Sequence, residues 1–306
     1  MLTYVGRRIL QLVPLLLIIS FVVFMALELA PGDPATLLLG QNASPEAIAK
    51  LEAELGLDQP LLVQYGQFVI DALRGDLGIS YRTDRAVVSE LARTAGVSAT
   101  LALTAMIVAV LVGVTVGIVS AVKKYTLIDT VTRVGVLALV SLPVFWLAIL
   151  LIIGFAVKWP VFPAFGWGTY GHLVLPALAL STYPLAVIAR LTRSSMLEVM
   201  GSDYIRTARA AGMPERTVVM RYALRNALVP VMTVIGLQFG ALISGAVLTE
   251  TVFGIPGMGR MMVTAIEGRD YPLVRGTVLL GTVVFVLINL LVDVLYKWVD
   301  PRQRGA

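Results

Sequence analysis

Long stretches without a charged side chain run through this 306-residue chain and constrain its fold more than any other feature. Thr100 to Val122, Val134 to Val157 and Asn226 to Thr249 hold no Asp, Glu, Lys or Arg. A helix rising about 1.5 Å per residue needs roughly 20 apolar residues to cross about 30 Å of hydrocarbon, a run that core helices of soluble proteins seldom reach. Ile9 to Leu29, Leu173 to Ala189 and Gly276 to Tyr296 complete six candidate spans. The first carries Glu28, the sixth carries Asn289 and Asp293, and the fourth is short and holds Pro176 and Pro184. With 58% hydrophobic and 14% charged residues, the chain has too little polar surface to coat a soluble globule. Ile9 to Leu29 follows Arg7 and Arg8 as a signal peptide would, but it exceeds the roughly 7 to 15 apolar residues of a cleavable one. It is expected to remain as an anchor.

Orientation follows from Lys and Arg in alternate loops. With the N-terminus inside, 15 lie on the cytoplasmic side and 9 outside, which favours both termini in the cytoplasm and an even number of spans. The expected fold is therefore an all-α integral membrane protein of six transmembrane helices. It divides into an N-terminal span (1–30), an extracytoplasmic helical segment (31–97) and a five-helix core (98–306).

The extracytoplasmic segment has helix signals of its own. Ser44 is suited to cap, and Pro45 to start, a helix with Ile48, Leu51 and Leu55 on one stripe and Gly56 at its end. A second begins at Pro60, places Leu62, Tyr65, Val69 and Leu73 on one face, and stops at Gly75.

Several function classes are excluded or weakened. The net charge of +5 is spread over short segments between apolar runs, not over an amphipathic surface, so nucleic acid is not an expected partner. Without cysteine, thiol chemistry and Cys-type metal sites are absent, and the single histidine, His172, permits no two-His metal motif. His172 lies beside Trp167 and Tyr170, as in an interfacial aromatic belt. A membrane hydrolase would need a nucleophile and base at one depth, and an ion-coupled carrier would bury charges near mid-membrane; spans two, three and five hold none.

The stretch Gly201 to Pro230, GSDYIRTARAAGMPERTVVMRYALRNALVP, is the most informative. Ser202 or Asp203 can cap a short helix through Ala211, Gly212 can end it in the left-handed conformation, and Pro214 to Glu215 can open a second short helix at an angle. Tyr204, Ile205, Ala208 and Ala211 share one side, while Arg206, Arg209 and Arg216 point elsewhere. A part-apolar, part-cationic surface of this kind suits docking into a partner groove; a plain positive cytoplasmic loop is the competing reading.

This stretch resembles the docking signature of ABC importer permeases, E-A-A, three residues, then G, with Arg206, Thr207 and Ala208 in the first three positions and Gly212 at the glycine. DYIRTARAAG followed by ALRNALVP is similar to the dipeptide, oligopeptide and glutathione branch, first-type permease subunit. So are LAPGDPA at Leu29 to Ala35, LGLDQPL at Leu55 to Leu61, GDLGIS at Gly75 to Ser80, TETVFGIPGMGRMM, RDYP and LVDVLYKWVDPR. Arg206 in place of the acid, and Arg225 where many relatives have proline, argue against a maltose-like or phosphate-like assignment.

The resemblance implies a type I permease bundle that imports peptides, with glutathione or nickel as alternatives. It implies a second, homologous permease in a heterodimer, two ABC ATPases that bind ATP and Mg, and an extracytoplasmic substrate-binding protein. This chain has no G-x-x-x-x-G-K-[ST] loop, so energy must come from partners, and no cofactor is expected on it. The implied coupling segment is 201–225, with docking residues Asp203, Tyr204, Arg206, Thr207, Ala208, Arg209, Ala211 and Gly212. The Gly-rich outer loop from Thr249 to Pro272 is expected, through Phe253, Ile255, Pro256 and Met258, to meet the binding protein or the delivered substrate. Gln238 is either a pore-lining residue or an inter-helix hydrogen-bonding one, as is Asn289. Glu28, Glu250, Arg275 and Asp293 lie near span ends, where long side chains reach the interface, and structural roles are expected for them.

Overall fold

Proline and polar helix ends divide this chain into helices of very unequal length. The computed structural model describes residues 2–29, 34–40 and 43–299. The helices are α1 (Leu2–Glu28), α2 (Pro34–Leu39), α3 (Pro45–Leu55), α4 (Leu61–Leu73), α5 (Val87–Val122), α6 (Leu127–Ser141) and α7 (Val144–Ile152). They continue with α8 (Gly171–Met200), α9 (Asp203–Ala210), α10 (Glu215–Thr217), α11 (Leu224–Gly245), α12 (Val247–Val252), α13 (Met258–Glu267) and α14 (Tyr271–Val299). π-helical turns at Ile153–Lys158 and Val218–Ala223 extend α7 and join α10 to α11. Among the described residues four helices are long and apolar enough to span a bilayer, or five if a bent pair counts as one.

That bent pair falls on the stretch expected as one span from Val134 to Val157 and divides it into two helices. α6 and the α7 segment meet at 101°. The cause is Pro143: it lacks an N–H, and it forces Leu142 into extended backbone at φ −85 and ψ 127. By contrast α8 runs unbroken for 30 residues through Pro176 and Pro184 and on past Ala189, where the expected span ends.

The chain forms two compact units, Met1–Val97 with Pro256–Val284 and Ser98–Ile255 with Phe285–Ala306. In the first, α3 begins and ends as its sequence requires. The Ser44 hydroxyl accepts from Ala47 N at 3.2 Å, and Gly56 closes the helix at φ +69 with Leu57 N donating to Glu52 O. α4 lies on α1: the Tyr65 hydroxyl donates to the Leu17 carbonyl at 2.9 Å, and its ring meets Phe21 and Phe24 edge-on at 5.1 and 5.5 Å. The expected apolar face is rotated by this contact, so Tyr65 and Val69 are partly buried while Leu62 and Leu73 stay exposed.

Val87, Leu91, Ala265, Leu273 and Val274 form the core of this unit. Asp270 caps α14 and gathers the loop before α5, accepting from the Ser80 hydroxyl at 2.5 Å, from Tyr81 N at 3.2 Å and from Leu273 N at 3.3 Å. Burial raises the Tyr81 phenol above its ordinary value. Glu28 and Arg275 are not snorkelling: they pair with each other, largely buried, and the guanidinium stacks 4.1 Å from the Phe24 ring centroid.

In the second unit α5 and α8 cross closely. A Cβ on Gly117 would lie 2.6 Å from the Thr192 Cβ and 2.7 Å from the Ala189 carbonyl oxygen, and Gly113 one turn earlier is equally tight against Leu185 O at 2.8 Å. This is small-residue packing of the kind that brings membrane helices together where no hydrophobic effect separates helix from lipid. Glu250 departs from its expected place at an interface: it is fully buried, and the Ser98 hydroxyl donates to it at 2.5 Å. Asp293 and the tail from residue 300 carry parts of the motifs quoted above; the Asp293 side chain and the tail lie outside the described residues, as do residues 30–33 of LAPGDPA.

Candidate functional site

The stretch after α8 folds into an elbow. α8 ends at Met200, and the chain turns at Gly201 and Ser202 into α9. Ser202 occupies the cap position in extended backbone, but its hydroxyl donates back to the Val199 carbonyl at 2.6 Å, so the negative charge at the helix start comes from Asp203. α9 then closes at Gly212, whose φ of +76 favours glycine, with Met213 N reaching back to Ala208 O at 3.3 Å.

Spacing by three residues puts Ile205 and Ala208 on the inward face. Both are buried with Ala121 of α5, Met196 of α8, and Val218, Val219, Ala223 and Ala227 at the base of α11. Full burial of one such aliphatic side chain contributes roughly 1.5–3 kcal/mol. The exposed Arg206–Asp203 pair at 3.4 Å contributes about 0–1 kcal/mol. The apolar plug therefore seats α9, and the surface charges trim it.

Two further contacts lock the bend. Arg209 holds Glu215 across the Gly212 turn with contacts of 2.6 and 3.1 Å, and that hydrogen bonding raises the guanidinium above its ordinary value. Asn226 Nδ2 donates to the Tyr204 hydroxyl at 2.9 Å. Asp203, Tyr204, Arg206, Thr207, Arg209, Ala211 and the turn itself are all exposed.

Two details differ from expectation. Ala211 is exposed, because the helix ends at Ala210 and the left-handed turn carries the next residues away from the apolar side. The second element is not a short helix: Glu215 to Gly245 continues through the π turn into α11, so the elbow joins a short helix directly to a long one.

The outer-loop residues are placed differently. Phe253 and Ile255 are buried, with Phe253 O accepting from Gly166 N at 2.9 Å and Ile255 N donating to Glu250 O at 2.8 Å. Met258 is buried as well, and of this group Pro256 alone is exposed. Gln238 lies mid-way along α11 with its Nε2 buried and without a hydrogen-bond partner among the described residues. Sequence reasoning missed the network at the other end of α6, where Asp129 takes hydrogen bonds from Arg193, Ser120 and Tyr125 N. No local signal announces a contact spanning 64 positions.

Long apolar helices that carry a braced, exposed elbow define the class: a helical membrane protein. Residues 113–305 match the family model described as the binding-protein-dependent transport system inner membrane component, and residues 1–104 match its N-terminal companion model. The chain belongs to that family. It is 44% identical to the dipeptide transport system permease protein DppB of Alkalihalophilus pseudofirmus, covering 99% of this chain and 100% of that one. It is 42% identical to DppB of Escherichia coli strain K12 and 42% identical to the glutathione transport system permease protein GsiC of Escherichia coli, each over 99% of both chains. A solved structure titled as inward-facing conformations of the MetNI methionine ABC transporter shares the fold at a TM-score of 0.56 and 18% identity, over 69% of this chain and 96% of that one. The chain is thus a multi-pass permease subunit of the bacterial inner membrane, a transporter component and not an enzyme.

Proposed function

We propose that this chain forms half of the membrane pathway of an ATP-driven importer for short peptides, with six spans and both termini in the cytoplasm. A homologous permease supplies the other half, two ABC ATPases bind ATP and Mg, and an extracytoplasmic protein delivers the peptide. The elbow transmits the work. Asp203, Arg206, Thr207, Arg209 and the Gly212 turn dock in an ATPase cleft, while Tyr204, Ile205 and Ala208 tie that contact to the ends of α5, α8 and α11.

The observation that carries this reading is the opposition within one eight-residue helix of a buried apolar side, Ile205 and Ala208, to an exposed polar one. A docking element transmits displacement only if it cannot flex against its own subunit, and the plug, the ion pair and the left-handed turn all resist that flexing. Dipeptide and glutathione permeases of 42–44% identity support a peptide-sized cargo. Pro256 and Gln238 remain the candidates for contact with the binding protein and the translocated peptide; Phe253, Ile255 and Met258 act as the packing that holds the loop.

The test is purification of the chain in mild detergent, followed by reconstitution. Co-purification of a second permease and two ATPases, with ATP hydrolysis stimulated by peptide-loaded binding protein, is expected. Isolation of the chain alone with ion-driven uptake would overturn the reading.

A further inference from the structure

A cavity of about 400 Å³ opens in the second unit among α5, α6 and α8, beside the Asp129–Arg193 pair. Val116, Val136, Val140 and Ala186 line its wall, and Arg133, Arg190 and Arg193 stand in the same lining. Asp129 takes hydrogen bonds from Arg193 at 2.8 and 3.0 Å and lies 3.5 Å from Arg133 Nε. Three guanidiniums against one carboxylate leave the cavity cationic, and Arg133 and Arg190 are exposed. The adjoining face of α6 is apolar and open, with Val131, Val134 and Leu137 each more than three-fifths exposed.

We propose that this cavity seats an anionic phospholipid, with its phosphate on Arg133 and Arg190 and an acyl chain along the Val136 and Val140 wall. The planar guanidinium fork matches phosphate oxygens, and basic pockets between membrane helices bind anionic head groups. Arg193 is the positioning residue: Asp129 and Ser120 fix its guanidinium, and it sets the depth of the cationic end. A soluble phosphate would use the arginines but gain nothing from the apolar wall, and a zwitterionic lipid would use the wall but carry no net charge to match. The cavity lies at the helix ends from which α9 emerges, so assigning it to the cytoplasmic leaflet rests on the orientation proposed above. Its affinity for an anionic lipid does not.

The experiment is native mass spectrometry of the intact complex, purified in mild detergent and exchanged with phosphatidylglycerol, with phosphatidylcholine, or with excess inorganic phosphate. Selective retention of phosphatidylglycerol, undisturbed by inorganic phosphate, is expected. R133A/R190A should weaken that retention roughly 25-fold, about fivefold for each guanidinium removed. R133K/R190K, which keeps both charges but loses the planar forks, should weaken it less than R133A/R190A, and L137W should weaken it by filling the apolar arm while leaving every charge in place. Equal retention of both lipids, unchanged retention in R133A/R190A, or competition by inorganic phosphate would overturn the site. The ATPases bound in the same spectra separate the two accounts: lipid selectivity lost with ATPases present sinks the lipid site alone, whereas selectivity kept in a chain that never binds ATPases sinks the importer reading alone.

Discussion

Asp129 in the first turn of α6 and Arg193 on α8 are joined by two hydrogen bonds of 2.8 and 3.0 Å across 64 positions of sequence. The carboxylate is fully buried and also accepts from the Ser120 hydroxyl at 2.6 Å, so three helices of the second unit meet at one charge.

Removing one partner should therefore cost far more than removing both. D129L should destabilise the unit by about 3–5 kcal/mol, because the Arg193 charge stays behind without its acid, and R193M should cost less, because Arg133 remains 3.5 Å from Asp129. The D129L/R193M double variant should recover much of that loss. Thermal unfolding of the detergent-solubilised complex, read as a double-mutant cycle, checks it; additive losses would count against the pairing.

The α5–α8 crossing makes a second, steric claim. G117A must push the Thr192 side chain and the Ala189 carbonyl aside, at roughly 1–3 kcal/mol, and G117V more. G135A, at a glycine inside α6 whose Cβ would meet nothing within 4 Å, is the control and should leave stability unchanged or raise it by up to about 1 kcal/mol. Folded yield and midpoint of thermal unfolding decide between them.

Within the elbow, seating and recognition should separate. I205A removes the plug and should cost about 2–5 kcal/mol of local stability, loosening ATPase association together with the fold of the elbow. R206A should leave stability within about 1 kcal/mol and weaken only the association. ATPase pull-down alongside limited proteolysis of the elbow distinguishes the two; proteolysis increased by R206A would contradict it.

Gly212 isolates backbone conformation from packing. A Cβ there would meet nothing within 4 Å, so substitution acts through the φ of +76 alone. G212V should lower peptide uptake sharply with membrane insertion intact, while G212N, which tolerates the left-handed region, should retain most of it. Peptide uptake by intact cells matched for permease content gives the comparison, and equal rates for the two variants would count against a conformational role.

Local rules were readable and long-range ones were not. Ser44, Pro45 and Gly56 bounded α3, and Gly212 with Pro214 bounded the elbow, because caps and left-handed turns depend on a few neighbouring residues. Pro143 carried the same kind of signal, yet the unbroken hydrophobicity from Val134 to Val157 concealed the 101° bend. Glu28, Arg275 and Glu250 looked like interfacial charges, since nothing nearby in sequence reveals that Glu28 meets Arg275 and that Ser98 reaches Glu250. The buried state of Phe253 and Ile255 was likewise set by packing partners far along the chain.

A single cysteine at Thr207 tests the central claim most directly, because the chain has no other cysteine and this side chain lies on the exposed side of α9. In the assembled complex T207C should cross-link to an ATPase subunit through a short bifunctional reagent, and in intact cells it should resist a membrane-impermeant thiol reagent added from outside. Labelling from the outer face, or no cross-link in a complex that still hydrolyses ATP, would contradict the account.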